Sequence, residues 1–128
     1  MTKYKNKKVE YDGIMFDSKK EMNRYQELKL MEKQGFISDL QLQKVYELIP
    51  AQYETFERYG VKGKRLKDGK RLLERPLVYI ADFVYTQDGK TIVEDVKGYR
   101  NTASAGYAKF VVKRKLMLYV HGVRIKEV

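Results

Sequence analysis

Residues 77–97 read LVYIADFVYTQDGKTIVEDVK. Two runs rich in β-branched and aromatic residues, 77–85 and 90–96, flank Gln87-Asp88-Gly89-Lys90, and an Asp-Gly pair between such runs signals a tight hairpin. With Asp88 and Gly89 as the two loop residues, the pairing follows from the turn alone. Gln87 faces Lys90, Tyr85 faces Ile92, Val84 faces Val93, Phe83 faces Glu94 and Asp82 faces Asp95. Side chains alternate along a strand, so Asp82, Asp95 and Lys97 are expected on one face and Glu94 on the other.

Two carboxylates facing each other across a strand pair have Cβ atoms roughly 4.5–5.5 Å apart and repel. Their strand neighbours are apolar, so water shields the pair poorly. A hard divalent cation would compensate, and Mg²⁺ (or Mn²⁺) suits a site of one or two carboxylates completed by other oxygens. Lys97 adds a positive charge able to reach a phosphate. The alternative is a solvated face with Lys97 as a simple ion-pair partner, which the depletion of Asp in strands disfavours. The chain has no cysteine, which excludes disulfides and thiolate metal sites.

Working outward, VEYDGIMF at 9–16 is extended, with Asp12-Gly13 as a turn. A helix is expected at about 18–34. Ser18 and Glu21 have the spacing of a capping box, and Gly35 stops the helix. A strand near 40–49 ends at Pro50. Residues 50–76 form a basic insertion, read as a loop or ragged hairpin with Asp68-Gly69 at its tip. After the hairpin, 98–106 are loop or helix start, Tyr107 to Val120 is a helix ended by His121-Gly122, and VRIKEV is a last strand. The order helix, strand, strand, strand, helix, strand (α-β-β-β-α-β) implies an α/β (α+β) fold with a mixed central sheet flanked by helices, the last two strands pairing in parallel. The 128 residues suit one domain.

Lys plus Arg outnumber Asp plus Glu by 27 to 17, a net charge of +10. Such a surplus favours a polyanion, most commonly nucleic acid. It is concentrated in a basic N-terminal arm (Lys3, Lys5, Lys7, Lys8) and in 58–75, where eight basic residues stand against Asp68 and Glu74, a local +6. Lys62, Lys64, Arg65, Lys67, Lys70 and Arg71 are therefore candidate DNA-backbone contacts. Lys109 and Lys113, one turn apart on the second helix, either line a DNA groove or form a solvated face. Tyr53, Tyr59, Tyr99 and Tyr107 lie in or near basic loops, where an aromatic ring can stack on an unpaired base. The single histidine, His121, has a capping or surface role at its helix end. No apolar run approaches the roughly 20 residues that span a bilayer, and MTKYKNKKVE has no apolar stretch behind its charges, so neither a membrane segment nor a secretory signal is expected.

The order of elements, with ADF at 81–83 followed by EDVKG at 94–98, resembles the PD-(D/E)XK (restriction-endonuclease-like) nuclease superfamily. Asp82 matches the first acid, and Asp95, Val96 and Lys97 match the D-x-K triplet. Ala81 stands where the motif's proline would be. Glu21 matches the helix acid, although the capping box alone would also account for it. The resemblance covers residues 12–128 apart from the insertion. More narrowly, the chain is similar to small phage-encoded endonucleases and Holliday-junction resolvases, which would put it in the cytoplasm of a bacterial host.

The resemblance implies a Mg²⁺-dependent deoxyribonuclease. Asp82, Asp95, Glu21 and the Val96 carbonyl would hold metal, and Lys97 would act on the attacking water and the phosphate. Gln43 lies on the first core strand and could face the site, but its register is open. The expected substrate is branched DNA and the expected assembly a homodimer. Alternatives are a nicking, mismatch or sequence-specific endonuclease of the same fold, or a non-catalytic nucleic-acid-binding module, which would gain nothing from two acids facing each other.

Overall fold

The computed structural model describes residues 7–97 and 104–128. The chain opens with a small hairpin, β1 (Val9–Tyr11) and β2 (Ile14–Phe16), turned by Asp12 and Gly13, both at positive φ. Helix α1 (Lys19–Lys33) follows. Its start is chemically defined, because the Ser18 side chain accepts the Glu21 N–H at 3.1 Å and satisfies one of the orphan donors of the first turn. Glu21, Tyr25 and Leu28 are its buried residues, spaced along one face.

Four strands make the central sheet in the order β3 (Ser38–Ile49), β6 (Leu77–Gln87), β7 (Lys90–Asp95) and β8 (Ile125–Glu127). β3–β6 and β6–β7 are antiparallel, whereas β7–β8 is parallel. Helix α2 (Ala105–His121) makes the crossover between β7 and β8. The mixed sheet, the helix order and the parallel last pair agree with the sequence reading. Helix α2 starts two residues earlier than Tyr107 because Ser104 caps it, accepting the Tyr107 N–H at 3.1 Å. It ends at Gly122 in the left-handed conformation, whose N–H reaches Leu118 O at 3.0 Å.

Each face of the sheet carries its own core. Phe16, Tyr25, Leu28 and Ile37 pack with Phe83 and Tyr85 on the α1 side. Phe110, Met117 and Ile125 pack with Leu48, Tyr79, Ala81, Val84 and Val93 on the α2 side. β6 is thus buried on both faces, as its near-continuous apolar run requires.

The odd-numbered residues of β6 change sides across Asp82. Tyr79 and Ala81 lie in the α2-side core, Phe83 and Tyr85 in the α1-side core. β3 changes sides in parallel, with Leu40 and Leu42 on the α1 side and Tyr46 and Leu48 on the α2 side. Between them Gln43 has φ of 52°, a left-handed conformation rare for a residue with a long side chain. The β3–β6 register is continuous from Leu42↔Phe83 to Lys44↔Ala81, which brings Gln43 opposite Asp82. A local twist at one paired position therefore breaks the alternation of both strands.

The insertion is more ordered than the sequence suggested. β4 (Gln52–Tyr59) and β5 (Arg65–Glu74) form an antiparallel ribbon that packs chiefly on itself. Asp68-Gly69 is not the tip. Gly69 pairs with Phe56, and a Cβ there would meet the Phe56 ring at 2.3 Å, so glycine leaves room for an aromatic side chain within the ribbon. The reversal is at 60–64, where Lys62 and Gly63 both have positive φ. No helix of the described residues is long and apolar enough to cross a membrane.

Candidate active site

The hairpin register is as the Asp88-Gly89 turn requires. Gln87 pairs with Lys90 and the ladder runs back to Phe83↔Glu94. Asp88 and Gly89 have φ of 52° and 75°, the values of the primed turn that matches strand twist. The ladder stops one pair short of Asp82 and Asp95. There Asp82 Oδ2 accepts the Val96 N–H at 2.7 Å. The side chain of one strand has taken a backbone donor of the other, and it sits where the strands part.

Asp82 therefore does not simply share a face with Asp95 and Lys97, as strict alternation had implied. It also faces Glu21 from α1, and the two carboxyl groups line one cleft. Burial and the nearby Asp82 carboxyl push Glu21 up to about 8. Only half of the expected capping box forms: Ser18 accepts the Glu21 N–H, whereas Glu21 Oε2 accepts the N–H of Asp17, one residue before the cap, at 3.1 Å. The Asp17 bond holds the Glu21 side chain at the cleft that Asp82 also lines. Gln43 Nε2 lies 3.4 Å from Asp82 Oδ1, which settles the register left open by the sequence. Glu21, Gln43 and Asp82 line a cleft of about 190 Å³ together with residues of β2.

Asp95 lies on the α2 side, buried, and accepts the Tyr79 hydroxyl at 3.0 Å. Burial raises its carboxyl above the ordinary value although Lys97 and Tyr79 pull it down, and the Asp82 charge adds to the rise. Lys97 forms an ion pair with Asp95 and lies 3.2 Å from the centroid of the Phe110 ring. Burial and the adjacent Asp95 hold the Tyr79 hydroxyl well above its ordinary value, so it remains a donor. Glu21, Asp82, Asp95, Val96, Lys97 and Gln43 are thus brought into one neighbourhood by α1, β3, β6 and β7.

Among the described residues no three Asp, Glu, His or Cys side chains already stand at the spacing of a metal cage. The donor set nevertheless fits a hard cation in its chemistry. It is all oxygen and acidic, with Glu21 and Asp82 lining one cleft.

Several neighbours escaped the sequence reading. Glu94 is fully buried on the α1 side and takes two bonds from Arg24, Nε at 2.8 Å and Nη2 at 2.6 Å, and a third from the Tyr85 hydroxyl. Burial raises the Glu94 carboxyl, but the Arg24 and Tyr85 bonds outweigh it and leave it below the ordinary value. The same burial and bond push Tyr85 up to about 12. The sequence put Glu94 on the face away from Asp95 but gave no sign of its partners, which come from α1 and β6. Lys20 donates to the Lys97 carbonyl, tying α1 to the end of the D-x-K segment.

The remaining candidates lie apart. Lys109 and Lys113 line a shallow cleft of about 280 Å³ beside Tyr79 and Phe110. Lys62, Lys64, Arg65, Lys67, Lys70 and Arg71 are all exposed on the ribbon. Tyr53 and Tyr59 are exposed there as well, whereas Tyr99, Lys3 and Lys5 lie outside the described residues. His121 contacts Glu47 O at 2.7 Å and packs edge-on to Tyr46, a structural role in the last turn of α2.

No curated protein and no solved structure matches the chain. A family model described as a protein of unknown function, DUF1064, matches residues 1–124, and the chain belongs to that family.

Proposed function

We propose that this protein is a metal-dependent DNA endonuclease with a restriction-endonuclease-like core of the PD-(D/E)XK type. The observation that carries the reading is the cleft shared by Glu21 from α1 and Asp82 from β6, near the Asp95–Lys97 ion pair at the end of β7. A fold gains no stability from three buried or half-buried acids in one place. Their concentration has a purpose if a divalent cation and a phosphodiester complete the site.

Glu21, Asp82, Asp95 and the Val96 carbonyl would hold one or two Mg²⁺ or Mn²⁺ ions. When bound, such an ion polarises the phosphate and lowers the pKa of water. The Val96 N–H fixes the Asp82 carboxylate in the fork between strands, and Tyr79 fixes Asp95, so neither acid must reorganise as charge develops. Lys97 has its ammonium held at the acids by Asp95 and Phe110. It orients the attacking water and stabilises the negative charge that grows on the phosphate oxygens. The net charge of +10 and the basic ribbon supply attraction for the DNA backbone.

The preferred substrate is branched DNA, on the resemblance to Holliday-junction resolvases and the high positive charge. Symmetric resolution of a junction needs two active sites on one DNA, and a homodimer is the simplest assembly that provides them. Incubation with Mg²⁺ and a panel of four-way junctions, flaps, nicked and linear duplexes, with the cuts mapped, tests substrate class. Paired cuts across a junction support the resolvase reading, and cuts in one strand of a linear or nicked duplex replace it with a nicking enzyme. Failure to cut any DNA with Mg²⁺ or Mn²⁺ removes the nuclease.

A further inference from the structure

The β4–β5 ribbon is a two-stranded sheet with both faces in solvent. Between Arg58 and Arg71 it holds seven basic residues against Asp68, and with Glu54 and Glu57, which lie across the ribbon from Arg71 and from Lys67–Asp68, the net charge of this part is +4. Arg65 pairs with Asp68 and Arg71 with Glu54. Among the described residues Arg58, Lys62, Lys64 and Lys67 have no acidic partner. The cations are not confined to one face. Lys70 lies 4.1 Å over the ring of Tyr53, which shares a face with it, and the adjacent Arg71 lies 4.7 Å over Phe56 on the opposite face.

We propose that this ribbon enters the major groove of B-form duplex DNA. A strap across one phosphate backbone would need its cations on a single face. A ribbon charged on both faces and at its tip matches a channel with phosphate on both walls. The dimensions agree. Two strands stand about 4.8 Å apart, and the B-form major groove, roughly 12 Å wide, admits a two-stranded ribbon. The eight residues of β4 extend about 26 Å, enough to follow the groove. The major groove of A-form RNA is too narrow and deep to be entered in this way. The inference deepens the nuclease reading and rests on it for the choice of DNA as polyanion.

The test is equilibrium binding of the full chain, without divalent cation, to a linear DNA duplex by fluorescence anisotropy. The same duplex carrying glucosylated hydroxymethylcytosine blocks the major groove, a minor-groove ligand such as netropsin blocks the other, and a duplex RNA of the same sequence supplies the A-form. Major-groove blocking is expected to weaken binding at least tenfold, netropsin less than twofold, and RNA is expected to bind at least tenfold more weakly than DNA. Replacement of Lys62, Lys64, Arg65, Lys67, Lys70 and Arg71 by Gln is expected to abolish the sensitivity to glucosylation and flatten the salt dependence. Equal affinity for plain and glucosylated DNA, competition by netropsin alone, or no binding to duplex DNA overturns the proposal. Cleavage measured separately with Mg²⁺ distinguishes the two claims. Cutting without groove sensitivity removes only the ribbon's role, and groove-sensitive binding without cutting removes only the nuclease.

Discussion

Asp82, one residue beyond the last β6–β7 ladder pair, accepts at 2.7 Å the backbone N–H of Val96, two residues beyond it on the other strand. That bond satisfies a strand donor at the fork and aims a carboxylate into the same gap. It also gives Asp82 partners separate from those of Asp95. The first acid is stabilised by a peptide N–H and the second by Tyr79 and Lys97, so each has its own partners before any cation enters.

The Arg24–Glu94 pair clamps α1 to β7 and, three residues before Arg24, holds Glu21 at the cleft it shares with Asp82. Arg24→Met leaves the fully buried Glu94 without its charged partner. Removing one member of a buried pair costs about 3–5 kcal/mol, and the partial exposure of Arg24 favours the lower end. Chemical denaturation measures this loss. The double variant Arg24→Met/Glu94→Leu is expected to recover most of the stability but little of the cleavage, because the clamp's orientation is gone. Recovery of both would show that the pair has no positioning role.

Gln43 is held at φ of 52° opposite Asp82, and a non-glycine residue there carries roughly 1–3 kcal/mol of backbone strain. Gln43→Gly is expected to leave the thermal midpoint unchanged or raise it, since relief of strain offsets the greater freedom of the unfolded chain. Cleavage is expected to fall several-fold with loss of the amide at Asp82. A fall in both would mean that Gln43 is needed for folding rather than for the site.

Glu21 gives a pH signature. Its carboxyl moves from an ordinary 4.5 to about 8 in the fold, so between those values the folded protein holds a proton that the unfolded chain releases. Stability of the metal-free protein therefore falls as pH rises through that window. A cation that replaces the proton reverses the trend, so the rise in Tm on adding Mg²⁺ is expected to be larger at pH 8 than at pH 6. Glu21→Gln keeps an acceptor for the Asp17 N–H but is expected to lose both the pH dependence and most of the cleavage. Thermal scans of the two proteins in EDTA and in Mg²⁺ make the comparison, and identical pH profiles would reduce Glu21 to its bond with Asp17.

The β6–β7 hairpin was legible in sequence because its turn is local. Asp88-Gly89 alone sets every observed pair from Phe83↔Glu94 to Gln87↔Lys90. The next pair was not legible, since it depends on a side chain displacing a ladder bond. The change of face across Asp82 depends on a left-handed Gln43 that no propensity signals. The ribbon tip was misplaced because Asp68-Gly69 has the composition of a turn, while its glycine answers to Phe56 across the ribbon. Glu21 was legible as the third residue of the Ser18 cap, but its carboxylate bonds Asp17 rather than Ser18 and lines the Asp82 cleft. Arg24 and Glu94 are 70 residues apart, and nothing local couples them.

The most direct test of the proposed metal site is DNA cleavage by wild-type protein, Asp82→Asn and Asp95→Asn, each with Mg²⁺ and with EDTA, alongside DNA binding by the same proteins. The expected result is cleavage by wild type in Mg²⁺ only, a loss of at least a hundredfold in either variant, and binding within about threefold of wild type, since each substitution removes a repelling acid and leaves the ribbon intact. Cleavage that persists in EDTA, or that survives in both variants, would contradict a metal centre built on Asp82 and Asp95.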